Sequence, residues 1–363
     1  MNSQETAVRM LAEWEPHQAT LLAWPHNKNT WPDEQLARVE EVYIEIIRAL
    51  LPHEPVVLLV RNESMRDRVQ KLLPSELFDG TLRFLIIPTN DCWIRDYGPI
   101  SIELGGKQGC GTRTSRSAWT LWGYNAWGGK YPPWNLDQQA ARTLLDELNC
   151  TLEGSGFIDC VERPEILEGG SVECNGAGTL ITTESVLLNP NRNPHRNREE
   201  IERMLRNSLG VETIIWLKAG IAGDDTDGHV DDITRFVSEN TIVTAVCEDP
   251  SDPNFHTLQQ NYEILKDARD TEGQPFVIDT VPMPLYEPKR VAVDGSLQLP
   301  ASYLNFYIAN NILLLPVYGD PRDDEVTKRF RGWFPGREVC PIRCEDLVFG
   351  QGGIHCITST LYC

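Results

Sequence analysis

Asn197-Arg198-Glu199-Glu200-Ile201-Glu202-Arg203-Met204-Leu205-Arg206-Asn207-Ser208-Leu209-Gly210 is the clearest helix of the chain, and its neighbours set the architecture. Asn197 can cap it, Glu200 stands at capping-box spacing, and Gly210 can leave it in a left-handed turn. Ile201, Met204, Leu205 and Leu209 recur on one face, so the helix must pack against something apolar. Strand Val211 to Leu217 follows directly. Before the helix, Gly178 to Leu188 reads as two short strands turning at Thr183-Glu184. The unit is hairpin, helix, strand.

The same order recurs. Ile233 to Val246 turns at Ser238-Glu239-Asn240 and leads to a helix near Asn254 to Arg269 and a strand near Phe276 to Asp279. Tyr303 to Ile308 and Ile312 to Val317 flank an Asn310-Asn311 turn, before a helix at Asp323 to Trp333 and a strand at Val339 to Ile342. At the front, Ala19 to Trp24, a helix from Asp33 to Leu50 and strand Pro55 to Val60 fit, with one hairpin strand unaccounted for. A looser copy runs from Ile100 through Asp137 to Leu148 to Thr151 and beyond. Five ββαβ units that each expose an apolar helix face can hide those faces by closing into a ring. The expectation is an α/β fold, a five-bladed pseudo-symmetric α/β propeller, with residues 1–363 as one catalytic domain. An ordinary open α/β sheet is the competing topology.

The length of 363 residues and 41% hydrophobic composition suffice for a large core, so the ten cysteines need not be disulfides. The start, Met1-Asn2-Ser3-Gln4-Glu5-Thr6, carries no basic, apolar leader, and no apolar run approaches a spanning helix. A reducing cytoplasm is expected, with no membrane partner. A formal charge of −20 argues against nucleic acid and would attract a cationic ligand. Nothing in the sequence decides whether the chain forms a homo-oligomer.

The polar fragments fall at the joins between units, which a ring would bring together. Gly350-Gln351-Gly352-Gly353-Ile354-His355-Cys356 offers a thiol on a glycine-rich approach, open to close contact by a substrate. Thiolate is the strong nucleophile among side chains near neutral pH. Strand alternation would turn His355 away from Cys356 and put His229 and Asp231 on one face. It would likewise separate Arg95 from Asp96 in Trp93-Ile94-Arg95-Asp96-Tyr97-Gly98-Pro99. Leu167-Glu168-Gly169-Gly170-Ser171 adds a carboxylate before two glycines. Taken singly, His-x-Asp reads as a surface strand pair, Arg-Asp as an ion pair and Glu-Gly-Gly as a loop tip.

Together, Asp96, Glu168 and Asp231 beside one thiol and one histidine would repel an oxyanion, which disfavours a protease. They suit a guanidinium, a planar cation whose N–H groups carboxylates bind in pairs. Cys340 and Cys344 lack a second pair at zinc spacing, so no metal is expected, and no cofactor. Cys92, Cys110, Cys150, Cys160, Cys174 and Cys247 read as buried thiols. Trp122-Gly123-Tyr124-Asn125-Ala126-Trp127-Gly128-Gly129-Lys130 reads as core packing under a loop.

The chain resembles the agmatine deiminases, the bacterial peptidylarginine deiminase-like branch of the guanidine-modifying superfamily. The resemblance is carried by Ala12-Glu13-Trp14-Glu15-Pro16-His17, Ala23-Trp24-Pro25-His26-Asn27, Trp93 to Pro99, Trp127-Gly128-Gly129-Lys130, Leu167 to Ser171, Leu188 to Pro194, Gly228 to Asp231, Ala301-Ser302-Tyr303 with Asn305-Phe306-Tyr307, and Ile354 to Thr358. It implies a five-bladed propeller and cofactor-free hydrolysis of agmatine to N-carbamoylputrescine and ammonia. It further implies Cys356 as nucleophile, His229 as general acid/base, Asp96 and Asp231 as guanidinium clamps, and Glu168 as a further clamp that orients the histidine. Trp93 and Asp225 would join the substrate-binding side. Asp224, Asp225 and Asp227 would build an acidic mouth that favours the ammonium of agmatine over the carboxylate of arginine. A peptidylarginine deiminase and an amidinotransferase of the same fold are the alternative enzymes, and a silent guanidine-binding protein is the non-enzymatic one. Three places depart from the family's pattern: Gly350-Gln351-Gly352-Gly353 before Ile-His-Cys, Glu173 where many members carry His, and Asp224-Asp225-Thr226-Asp227 before Gly228-His229. All three are expected near the mouth.

Overall fold

A computed structural model describes residues 7–32, 34–74, 80–107, 113–151, 158–285 and 298–362. Cys110, Asp33 and the segment directly after Thr151 lie outside the described residues. The fold is mixed α/β. The described strands form five sheets of three or four strands.

Helix Arg198–Leu209 is built as its sequence dictates. Asn197 accepts the Glu200 N–H at 3.0 Å, Glu200 returns a bond to the Asn197 N–H at 2.9 Å, and Gly210 leaves at φ 68°. Its buried Ile201, Met204, Leu205 and Leu209 form a second, smaller core with Leu180, Val186 and Trp216. Each such side chain contributes about 1.5–3 kcal/mol when fully buried. The helix links Thr179–Thr183 to the parallel strand Thr213–Leu217.

The hairpin partner of Thr179–Thr183 differs from the expectation. It precedes that strand, as Glu173–Cys174. The turn is Asn175-Gly176-Ala177-Gly178, where both glycines have positive φ (71° and 89°) and the Asn175 side chain accepts from Ala177 and Thr179. Glu184–Leu187 is a single helical turn instead of a second strand.

Three further units follow the expected order. Thr234–Ser238, Thr241–Val246, helix Phe255–Asp267 and Val277–Pro282 make one sheet. Tyr307–Ala309, Ile312–Val317, helix Asp323–Trp333 and Glu338–Arg343 make the next. Ile100–Lys107, Arg113–Gly123, helix Asp137–Thr151 and Asp159–Ile166 make another, extended by Ala7–Met10.

The front unit finds its missing hairpin strand at the far end of the chain. Thr358–Tyr362 pairs antiparallel with His17–Ala23, which is parallel to Val56–Val60 across helix Gln35–Leu50. Leu82–Ile86, reached through helix Glu63–Leu72, adds an outer strand that was not anticipated. Among the described residues, no helix is long and apolar enough to cross a membrane. Cys92 and Cys174 are buried as expected, but Cys150 is exposed and Cys160 and Cys247 are half-buried.

Candidate active site

The four polar joins are short helical turns, and strand alternation therefore does not govern them. Ile94–Tyr97 and Ile354–Ile357 are single α-turns, while Gly169–Ser171 and Val230–Asp232 are 3-10 turns. These turns pack against one another: the first touches both Ile354–Ile357 and Gly169–Ser171, and the last two touch each other. The separations expected from alternation nonetheless occur, for a different reason. At about 100° per residue, neighbours on a helical turn also point in different directions.

Asp96 is buried and its two oxygens are held apart. Oδ1 accepts the Gly170 N–H at 3.0 Å and Oδ2 the Trp127 indole N–H at 2.9 Å. Burial lifts its pKa to about 6; Asp231 and Glu168 push the same way, against His229 and Trp127. His229 Nδ1 lies 3.7 Å from Asp96 Oδ1. Burial alone would lower the His229 pKa, yet Asp96, Asp231 and Glu168 outweigh it and raise it. Gly170 sits between these groups. A β-carbon there would fall 2.6 Å from His229 Nδ1 and 2.9 Å from both Asp231 Oδ2 and Asp96 Oδ1.

Glu168 is fully buried, with Oε1 accepting from Arg192 Nε at 2.6 Å. Arg192 also donates to Asp227 Oδ2 at 2.6 Å and to the Thr226 carbonyl at 2.8 Å, so the Leu188–Pro194 segment ties Glu168 to the loop before His229. Glu168 Oε2, His229 Nε2 and Asp231 Oδ1 are buried without a hydrogen-bond partner among the described residues.

Cys356 Sγ lies 4.0 Å from Asp231 Oδ2 and takes a hydrogen bond from Asn305 Nδ2 at 3.1 Å. The same Asn305 accepts from the backbone N–H groups of His355 (2.8 Å) and Cys356 (3.3 Å), so it orients the whole turn. Burial, then the carboxylates of Asp231, Asp232 and Asp96, push the thiol pKa well up. The glycines before Cys356 serve packing more than substrate approach. A β-carbon on Gly350 would meet the Trp31 ring at 2.4 Å, one on Gly352 the Trp93 ring at 2.5 Å, and one on Gly353 the Asn305 side chain at 2.5 Å. Asp231, Asp232 and Cys356 bring ligand atoms within 4.8 Å of one another. The Asn305 amide already donates to both Asp232 (2.9 Å) and Cys356, placing N–H donors where a cation would need lone pairs.

His355 is engaged behind the site. Its Nδ1 meets Asp231 Oδ2 at 2.6 Å and its Nε2 meets Glu13 Oε1 at 2.8 Å. Arg95 lies behind as well, donating to Glu13 at 2.8 Å and to the His355 carbonyl at 3.2 Å.

A cavity of about 260 Å³ opens beside Cys356, lined among others by Trp93, Asp96, Trp127, Tyr131, Asp225 and Gln351. His229, Asp231 and Glu168 do not line it; they are buried at 1%, 0% and 0% exposure, and Asp96 and Cys356 join the cavity to them. Trp93 stands against Trp31 at 5.4 Å between ring centroids. Trp127, expected as core, is buried and also faces the cavity while donating to Asp96.

The acidic mouth is not built as expected. Of its three aspartates only Asp225 lines the cavity, accepting from the Tyr131 hydroxyl. Asp224 folds the loop instead, accepting from the Thr226 and His229 N–H groups at 2.8 and 2.9 Å. Asp227 is neutralised by Lys130 (2.8 Å) and Arg192. Glu173 likewise is not at the mouth; it pairs with Arg235 at 2.9 Å on the far side.

Sequence reasoning missed Asn305, Arg192, Glu13 and the role of His355. Each lay in a quoted segment, but only tertiary contact shows what it touches.

The chain belongs to the Porphyromonas-type peptidyl-arginine deiminase family, whose model matches residues 9–361. Within it, the chain is 35% identical over 374 residues to an agmatine deiminase of Pseudomonas aeruginosa (strain LESB58), covering 97% of this chain and 94% of that protein. It is 35% identical over 370 residues to an agmatine deiminase of Stutzerimonas stutzeri (strain A1501), covering 96% and 94%. The solved agmatine deiminase of Enterococcus faecalis superposes with a TM-score of 0.85 at 28% identity, over 99% of this chain and 98% of that one.

Proposed function

We propose that this chain hydrolyses agmatine to N-carbamoylputrescine and ammonia through an amidino-thioether on Cys356. The observation that carries the reading is the pair of buried oxygens, Asp231 Oδ1 and Glu168 Oε2, without a hydrogen-bond partner among the described residues, in a cluster where His229 lies 3.7 Å from Asp96 and the Cys356 thiol 4.0 Å from Asp231. Such a cluster is costly without a cation rich in N–H donors, and a guanidinium answers it.

Asp96 and Asp231 hold the guanidinium, with Glu168 beneath. Its positive charge beside Sγ offsets the carboxylates that keep the thiol protonated, so nucleophile and substrate activate together. Sulfur bonds to the guanidinium carbon, the thiol proton passes by way of His229 to one nitrogen, and the C–N bond breaks to release ammonia. Water then adds to the amidino-thioether carbon, His229 takes its proton, and the C–S bond breaks to return the thiol. Trp93 and Asp225 line the path of the alkyl chain.

We infer further that the five units stand as blades around one axis, making residues 1–363 a single catalytic domain. Mutual contact of the turns at the joins supports this, as does the C-terminal strand that completes the first sheet. A free thiol nucleophile favours a reducing cytoplasm.

Cys356→Ala tests the reading. Ammonia release from agmatine should vanish while agmatine still binds by calorimetry. Retained turnover would overturn the mechanism, and faster turnover of a blocked arginine peptide by the unmodified enzyme would move the substrate to protein.

A further inference from the structure

His355, the residue before Cys356, touches two buried carboxylates at once. Its Nδ1 meets Asp231 Oδ2 at 2.6 Å and its Nε2 meets Glu13 Oε1 at 2.8 Å, and the residue is 2% exposed. A neutral imidazole has one N–H and one lone pair, so it can donate to only one of these oxygens. The other contact needs a second hydrogen, on the ring or on an acid.

The surroundings decide where that hydrogen sits. Glu13 has no place for it: Oε1 also accepts from Arg95 at 2.8 Å, while Oε2 accepts from Arg235 at 2.8 Å and from the Ile308 N–H at 3.0 Å. Glu173 is likewise an acceptor on both oxygens, from Arg235 Nε at 2.9 Å and the Phe236 N–H at 2.8 Å. Together with Asp231 these acids set three carboxylates against the two guanidinium groups of Arg95 and Arg235. A charged imidazole evens that count, and an unbalanced buried charge is costly. Burial would raise the Asp231 pKa, but the hydrogen bond and charge of His355 lead the effects that bring it below its ordinary value.

With Oδ2 taken by His355, the other Asp231 oxygen, Oδ1, is the one without a partner among the described residues. His355 does not line the cavity beside Cys356; it lines a separate one of about 60 Å³ with Glu13, Arg95 and Glu173. Its influence on a substrate therefore runs through Asp231.

We propose that His355 is a positioning residue held as an imidazolium, both ring nitrogens donating, which keeps Asp231 ionised and turned with Oδ1 free for a cationic substrate. Only the identity of that cation rests on the guanidine reading above.

The first test needs no substrate. Nitrogen NMR of the full chain, isotope-labelled at histidine, should show hydrogen on both ring nitrogens of His355 at about pH 7, where an ordinary histidine is mostly neutral. The signals are assigned by their loss in His355→Asn and, separately, in His355→Gln. A bare ring nitrogen on His355 would overturn the proposal. The second test is a double-mutant cycle on agmatine binding to the full chain carrying Cys356→Ala. His355→Asn, which can keep an N–H near Asp231 but not the charge, should weaken agmatine about tenfold. Where Asp231→Asn is already present, adding His355→Asn should weaken it less than about twofold, since the group it acts through is gone. Equal losses in both backgrounds would mark a general structural role and overturn the assignment, with ammonia release by the unmodified enzyme still upholding the activity. Coupled losses in a protein that releases no ammonia would support the assignment and sink the activity alone.

Discussion

Asp96 carries two opposed demands. It must be ionised to hold a cation, yet burial among Asp231 and Glu168 lifts its pKa to about 6. Below that value it is neutral and cannot clamp the guanidinium. His229, whose pKa is raised above its ordinary 6.5, must keep its proton available for the leaving nitrogen and loses it as pH rises. We therefore expect a bell-shaped kcat/KM profile for agmatine, with an acid limb near pH 6 that belongs to the coupled carboxylates and histidine as a group. Asp96→Asn should remove that limb and lower kcat/KM by roughly ten- to a hundredfold, the worth of a charge-assisted contact. A flat profile from about pH 5 to about pH 7 would contradict the assignment. Asp96, Asp231, His229 and Cys356 were legible as candidates because acids, imidazole and thiol in polar joins are costly unless used. Asn305 was not, since an asparagine among aromatics signals nothing until its amide is seen against Sγ.

At the scale of elements, the turns matter more than the strands. Each join is a turn of only a few residues, too short to leave a periodic signal, and reading them as strands led to correct facings by a wrong route. Gly169–Ser171 shows what such a turn does: it lays a bare backbone N–H against Asp96 and leaves no side chain between three charged groups. Gly170→Ala should preserve the fold's circular dichroism yet reduce kcat/KM by at least tenfold, because the new methyl intrudes on His229, Asp231 and Asp96 together. Near-unchanged kinetics would mean that these groups are not held as described. Helix Arg198–Leu209, by contrast, was readable to the residue, since its cap, apolar stripe and terminal glycine are all local.

Across the whole molecule, Glu13 joins distant parts of the chain. One oxygen receives Arg95 and His355, both at 2.8 Å, and the other receives Arg235 at 2.8 Å and the Ile308 N–H at 3.0 Å. Burial would raise its pKa, but His355, Arg235 and Arg95 prevail and hold it well below the usual carboxylate range. Glu13→Gln leaves the buried guanidinium of Arg235 and the half-buried one of Arg95 undercompensated, so the variant should lose about 3–5 kcal/mol, the usual cost of breaking a buried pair. Urea unfolding at pH 7 should show this as a lower midpoint with an unchanged slope. A loss below about 1 kcal/mol would place the pair among weak surface contacts.

Local physics determined much of this protein from sequence alone: the helices with their caps, the recurring hairpin-helix-strand order, and residue types that specify a thiol and a cation-binding set of acids. Those features depend on neighbours within a few positions. Only the tertiary structure decided that Thr358–Tyr362 completes the front sheet, that Asp224 and Asp227 are consumed inside the loop, that Glu168 is shared with Arg192, and that Asp225 and Gln351 reach the cavity while Glu173 pairs with Arg235. Each of these is a pairing across tens to hundreds of residues, and a charge's chemistry follows from whichever partner the fold brings within hydrogen-bond reach.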